Sequence, residues 1–171
     1  RTGYSYWNNI NNPFGSDTML VLLGLERRKG GGGPTLFSYN KKSGETKNLG
    51  PIFSADSAYS WATGEGMYFS GSSANMLYLN DGPKMLRYDV MTHSMSTVFN
   101  VEDSLGSGKI LWQMHSSNDD RVHSATVRDS SSYEMLGCVA YQESLKFARY
   151  IAAKGDFDEC QVDKSGHFLV I

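Results

Sequence analysis

Short apolar or alternating runs, broken by polar turns, dominate the chain. They cover residues 18–25, 35–39, 66–69, 75–79, 84–90, 96–99, 110–114, 121–127, 134–141, 147–151 and 167–171. Most hold four to eight residues, rich in aromatic and β-branched types, with turn formers between them. That pattern predicts strands. No stretch keeps a helical period over a dozen residues. Residues 143–153 come nearest, yet Phe147-Ala-Arg-Tyr-Ile151 alternates as well as it spirals. The expectation is an all-β chain.

The runs also recur. Tyr39-Asn40-Lys-Lys-Ser43-Gly44 and Tyr88-Asp89-Val-Met-Thr92-His93 align at a spacing of 49, each after an apolar strand and before a second, shorter one. At such a turn an Asn or Asp side chain takes hydrogen bonds from nearby backbone N–H groups. The strands ahead of the hairpins repeat as Met19, Met76, Val122 and Phe168, separated by 57, 46 and 46 residues, the first interval being lengthened by Arg27-Arg-Lys-Gly-Gly-Gly-Gly-Pro34. A period in the forties with four strands per unit predicts propeller blades. The blades fall at about 4–52, 66–101, 110–152 and a truncated 156–171, within one partial domain over 1–171. A terminal Phe168-Leu-Val-Ile171 strand without a partner would be a sticky edge. The expectation is therefore about three and a half four-stranded antiparallel blades, completed by further blades or by a second chain closing the ring.

Composition narrows the classes. The chain has 171 residues, enough for one core of ordinary size, and its 18 Gly, 10 Tyr, 8 Phe and only 4 Pro suit sheets joined by tight turns. A formal net charge of -2 leaves no general basic field, so no nucleic-acid partner is expected. No apolar run is long enough to span a membrane as a helix. Arg1-Thr2-Gly3-Tyr4 shows neither an initiator Met nor a signal-peptide pattern. The expectation is a processed chain or a fragment, soluble, and secreted or periplasmic after loss of its signal. Cys138 and Cys160 read more readily as two buried free thiols than as a pair, although pairing stays open.

The succession of strand, turn, strand, Tyr-Asp hairpin and strand resembles the PD40/TolB-type β-propeller superfamily. Its Ser-Pro-Asp-Gly-like turn appears here as Gly15-Ser-Asp-Thr18, Ser117-Asn-Asp-Asp120 and Asp163-Lys-Ser-Gly166, matching in position and chemistry without identity. Trp7-Asn8-Asn9 with Asn12-Pro13-Phe14, and the stretch Asp158-Glu-Cys-Gln-Val-Asp-Lys-Ser-Gly166, look most like bacterial seven-bladed propellers related to oligogalacturonate lyases. The resemblance implies a seven-bladed ring. It also implies, for the lyases, a metal held by several His and a Gln, a set that this sequence does not show in full.

The innermost strand of each blade lines the channel of a propeller, and its neighbouring loops form the binding face. Trp7, Asn9, Asn12, Gln113, Glu159 and Gln161 fall there, together with His115. Trp7 would stack on a sugar face while the amides and Glu159 bond hydroxyls. Gln113 and His115 alternate around Met114 and so face one side; with Glu159 or Gln161 from the next blade they could hold a divalent cation such as Mn or Ca. Polar residues line wet channels whatever their function, which is the plainer account. Asp158-Glu159 is read as a pair facing opposite ways, one of them bonded to a Lys or Arg, and Asp119-Asp120-Arg121 as an exposed turn. His123, mid-strand, reads as a packed or hydrogen-bonded histidine; His93 and His167 carry no function. Leu105-Gly-Ser-Gly-Lys-Ile110 and the 27–34 loop both fail as phosphate loops. The leading expectation is a propeller that binds a carbohydrate or a protein partner through its channel-facing surface. A metal-assisted polysaccharide lyase or hydrolase, and a structural half-propeller within a larger assembly, are the alternatives.

Overall fold

The alternating runs do fold as strands. The computed structural model describes residues 8, 10–54, 66–153, 155 and 157–171; Trp7 and Asn9 lie outside the described residues. The chain divides into two compact units, Arg1–Phe69 and Ser70–Ile171.

In the first unit β1 (Thr18–Leu25), β2 (Gly33–Asn40) and β3 (Thr46–Pro51) form an antiparallel sheet in that order. The two-residue strand β4 (Tyr68–Phe69) is buried at the end of the unit. Asn11 ties the entering segment to β1: its N–H donates to the Leu20 carbonyl at 3.1 Å, and its side-chain oxygen accepts from the Leu20 N–H at 2.5 Å. Asn12, the neighbouring candidate, is exposed.

In the second unit β5 (Met76–Asp81), β6 (Lys84–Asp89) and β7 (Ser94–Asn100) run antiparallel. A one-turn helix, α1 (Glu102–Leu105), leads to β8 (Lys109–Ser116), β9 (Val122–Asp129), β10 (Met135–Gln142) and β11 (Phe147–Ala152), a four-stranded antiparallel sheet in chain order. A last hairpin pairs β12 (Gln161–Val162) with β13 (Leu169–Val170). The all-β expectation holds, and the four antiparallel sheets are blade-like in their strand order. Among the described residues no helix is long and apolar enough to cross a membrane.

The repeat extends to the backbone. Asn40 Oδ1 accepts from the Lys42 and Ser43 N–H groups, and Asp89 Oδ1 from those of Met91 and Thr92. Both hairpins carry a bulge: Leu49 is skipped between Leu36↔Gly50 and Phe37↔Asn48, and Val98 between Met85↔Phe99 and Leu86↔Thr97. Those bulged residues are again 49 apart. A third copy, read from sequence only as a hairpin tip, is Asp129, whose Oδ1 accepts from the Ser131 and Ser132 N–H groups at 2.9 Å. The fifth position of each tip is left-handed: Gly44 at φ 74, His93 at φ 56 and Tyr133 at φ 60. Glycine adopts that conformation without steric cost, and the other two tolerate it because the turn is already pinned by its Asx side chain.

The core of the second unit lies between neighbouring sheets. Leu77, Leu79, Met85, Leu111, Met114, Val127 and Val139 are almost fully buried, and Phe99 on β7 stacks on Tyr141 of β10 with ring centroids 4.7 Å apart. The Asn80 side-chain amide donates to the Leu111 carbonyl at 2.8 Å. On β9 the buried polar residues are satisfied by the segment entering β12: the Ser124 hydroxyl donates to the Cys160 carbonyl at 3.0 Å and accepts from the Val162 N–H at 2.8 Å. Such pairing is what permits hydroxyls inside an apolar layer.

The cysteines correct the expectation of free thiols. Cys138 on β10 and Cys160 just before β12 form a disulfide, with Cα atoms 5.8 Å apart and a sequence separation of 22. Their burial, which suggested inert thiols, instead results from two strands meeting over β9. Spacing alone could not reveal that.

Candidate functional site

Two polar clusters occupy the second unit. In the first, β8 supplies Gln113 and His115, the approach to β12 supplies Glu159, and β12 itself supplies Gln161. His115 Nε2 lies 3.1 Å from Glu159 Oε2, and the Gln161 side-chain amide donates to Glu159 Oε1. The structure thus brings His115, Glu159 and Gln161 together. For Glu159 the partners are the imidazole and the Gln161 amide rather than a Lys or Arg. The structure also corrects the alternation drawn from Gln113 to His115. The β8–β9 register slips between Trp112 and His115, and Gln113 sits at φ 46, so strict alternation does not carry across the bulge. Gln113 Oε1 is buried without a hydrogen-bond partner among the described residues. Burial pulls the His115 imidazole below its ordinary pKa, with Glu159 opposing the shift. Among the described residues no three His, Cys, Asp or Glu side chains converge as a metal site would need.

The second cluster was not foreseen as a site. A pocket of about 290 Å³ is lined by Ser70, Ser72, Ser73, Met76, Tyr78, Arg87, Asp119, Asp120, Arg121 and Glu143. Strands β5 and β6 deliver Tyr78 and Arg87, the turn between β8 and β9 delivers Asp119 to Arg121, and Glu143 follows β10 directly. Asp120 is not the solvent-facing turn residue the sequence suggests. It is 8% exposed, at φ 57, and its carboxylate accepts from the Ser70 and Ser72 hydroxyls, the Ser72 N–H at 3.2 Å and the Gly71 N–H at 3.3 Å. A carboxylate left among apolar atoms would be costly; three of these four donors fall on Oδ2 and one, the Gly71 N–H, on Oδ1.

Glu143 joins this pocket to the core. Its Oε1 accepts from an Arg87 Nη2 hydrogen and lies 2.6 Å from His123 Nε2, while His123 Nδ1 lies 2.6 Å from Ser116 Oγ. Placing the ring proton on Nε2, with Nδ1 accepting from the serine hydroxyl, satisfies all three groups. His123 is therefore packed and hydrogen-bonded, as its mid-strand position suggests. The Arg87 guanidinium also lies over the Tyr78 ring, 5.4 Å from its centroid. Burial pushes the Tyr78 phenol above its ordinary pKa, and the nearby Asp120 adds to the effect. At Glu143 burial pushes the carboxyl up, but the hydrogen bonds from His123 and Arg87, with the guanidinium charge, outweigh it and hold the group below its usual range.

Serine, histidine and an acid in line have the composition of a hydrolase triad, but the sense is wrong for one. Glu143 lines the pocket, whereas Ser116 and His123 do not and are 7% and 0% exposed. A substrate in the pocket would meet the carboxylate, while nucleophilic catalysis needs the hydroxyl at that end. The array anchors Glu143 and leaves it ionised.

That role has a measurable consequence. A carboxyl whose folded pKa is depressed contributes stability above its unfolded pKa, about 4.3, and loses it as pH falls through the folded value. Urea unfolding between pH 3 and 7 is expected to show this acid limb. In Glu143→Gln the limb flattens and stability at pH 7 falls by about 2 kcal/mol, the scale of a charge-assisted hydrogen bond in a partly buried pair. An unchanged acid limb would show that the ionised partner of Arg87 lies elsewhere.

Arg87 and His123 each carried a weak signal in sequence, being charged or titratable residues inside alternating strands. Nothing local marked Glu143 or Asp120, which become partners only when the sheets meet.

No family model matches the sequence, and no curated protein matches it. Solved structures share the fold. TolB from Acinetobacter baumannii superposes with a TM-score of 0.57 at 12% identity, over 90% of this chain and 34% of that one. An oligogalacturonate lyase from Vibrio parahaemolyticus superposes with a TM-score of 0.57 at 7% identity, over 87% of this chain and 39% of that one. The chain thus spans well under half the length of either structure. At such identities the likeness is one of fold alone.

Proposed function

We propose that this chain is part of a seven-bladed propeller that works as a binding module, taking a carbohydrate or a protein partner on its channel-facing surface. One observation carries the reading: His115 from β8 and Glu159 and Gln161 from the start of the next sheet meet through hydrogen bonds, although more than 40 residues separate them in sequence. Side chains contributed by successive sheets to one place are how a repeat fold builds a site that no single repeat contains. Gln113, with its buried oxygen, belongs to the same strand. Trp7, Asn9 and Asn12 are assigned to that face by the repeat alone.

Further blades, or a second chain, would complete the ring. Phe168, Val170 and Ile171 are 70%, 60% and 53% exposed around the two-stranded β12–β13 hairpin, apolar surface that an added strand would cover. A buried disulfide suits the oxidising surroundings of a secreted or periplasmic protein.

The decisive comparison is calorimetric titration with oligogalacturonate, with and without a chelator, on the parent and on Glu159→Gln. The binding-module reading expects saturable heat that survives the chelator and weakens in the variant. The lyase alternative would place a divalent cation such as Mn or Ca at His115. It expects Mn- or Ca-dependent release of unsaturated product, abolished in His115→Ala. Binding of equal strength in parent and Glu159→Gln would remove this face from consideration.

A further inference from the structure

The pocket around Arg87 and Glu143 lies outside the residues assigned to the channel face and has its own chemistry. Each of its charges is already engaged. Arg87 is paired with Glu143, and Arg121 Nε donates to Asp119 Oδ2 at 2.7 Å. Asp120 is held by four donors of the Ser70–Ser72 loop, three of them on Oδ2. The lining carries three carboxylates against two guanidinium groups, so an anion would enter a net negative field. A cation would have to reach the buried Asp120 beneath its loop donors, or take Glu143 or Asp119 from its guanidinium partner. A hydroxylated, uncharged ligand has no such cost. Paired carboxylates and guanidinium groups keep spare lone pairs and N–H groups that can bridge hydroxyls without separating. Both described contacts of Glu143 fall on Oε1, which leaves Oε2 able to accept. Met76 adds apolar surface for the C–H face of a sugar ring.

On these grounds we propose that the pocket is a binding site for a neutral saccharide, with Glu143 accepting from its hydroxyls and Arg87, Arg121 and Ser73 donating to them. A volume of about 290 Å³ sits at the low end of small-molecule pockets, room for a sugar ring or a short oligosaccharide rather than a polymer segment. The groups are preorganised. His123 and Ser116 brace Glu143 from behind, and the Asp120 contacts fix the Ser70–Ser73 loop, so little ordering is left for the ligand to impose. The inference rests on the binding-module reading but places a ligand at different residues.

Amide NMR titration of the chain separates the two. Methyl β-glucoside, maltose and cellobiose serve as neutral probes, galacturonate as the acid and glucosamine as the cation. A neutral saccharide is expected to shift the amides of Ser72, Ser73, Arg121 and Glu143 saturably. Arg121→Ala and Ser73→Ala, both exposed positions where the fold is retained, should each weaken it roughly threefold to tenfold, the worth of about one hydrogen bond. Saturation by galacturonate or glucosamine alone overturns the neutral-ligand assignment, as does binding unaltered in both variants. Shifts confined to His115, Glu159 and Gln161 overturn the pocket while leaving the channel-face reading in place. No saturable shift at the pocket from any of the neutral probes overturns the pocket proposal, and leaves the channel-face reading to its own titration.

Discussion

Gly137→Ala is expected to cost about 4 kcal/mol or more and to lower the melting temperature by roughly 10 °C. Gly137 sits at φ 151 in the bulge between β9 and β10, where a Cβ would lie 2.2 Å from the Ile151 carbonyl oxygen and 3.0 Å from Ala152 Cα and Ala153 N. All three are backbone atoms, so no side chain can swing aside. Nor can the strands part easily. The Leu136 carbonyl accepts from the Tyr150 hydroxyl at 2.6 Å and from the Ala153 N–H at 3.3 Å, and Cys138 is held by the disulfide. Gly44→Ala is the control. Its φ is 74 but nothing lies within 4 Å of the added carbon, so only the conformational cost of about 1 kcal/mol applies. Thermal unfolding of the two variants side by side tests this, and equal losses would mean that steric overlap at Gly137 is relieved by a shift the packing does not suggest.

The second large effect is removal of the Cys138–Cys160 bond. Closing a loop of 22 residues restricts the unfolded chain by an amount worth about 3 kcal/mol. The double variant Cys138→Ala/Cys160→Ala should therefore unfold at a clearly lower urea midpoint with a similar slope. Both sulfurs belong to residues with 0% exposure, so a reductant can reach the bond only through an opening of the fold. Reduction of the native protein should accelerate steeply with added urea. Quantitative thiol labelling of unreduced, unfolded protein should find none free; two labelled thiols, or an unchanged midpoint in the variant, would sink the expectation.

Strand identity was legible from short apolar runs bounded by turn formers, and in places from alternation, as where half-buried Arg87 and Asp89 flank the buried Tyr88. The 49-residue repeat was legible because Asn40 and Asp89 do the same local job, bonding backbone N–H groups two and three residues on. What failed was of another kind. The pairing of Cys138 with Cys160, the burial of Asp120 and the link from Glu143 to Arg87 are contacts between sheets, and no local pattern encodes which sheet edge will face which. The Gln113–His115 alternation failed for a subtler reason: one extra residue in β8 reverses the facing of everything beyond it. His115 and Glu159 still met, although Glu159 precedes β12 rather than lying in a strand and the register within β8 was misread.

The three Asx hairpins have a practical consequence for anyone who wishes to label or decorate this chain. Each tip owes its shape to one Asn or Asp side chain and one left-handed residue, while Lys42, Met91 and Ser131, each two residues past the Asx, are exposed. Dyes, affinity handles or grafted epitopes placed there would sit at the same point of each hairpin. Because the Asx contacts that set the turn are made with the backbone N–H groups of these positions, the cargo can vary while the hairpin holds its form. The repeat thus offers a set of equivalent attachment points.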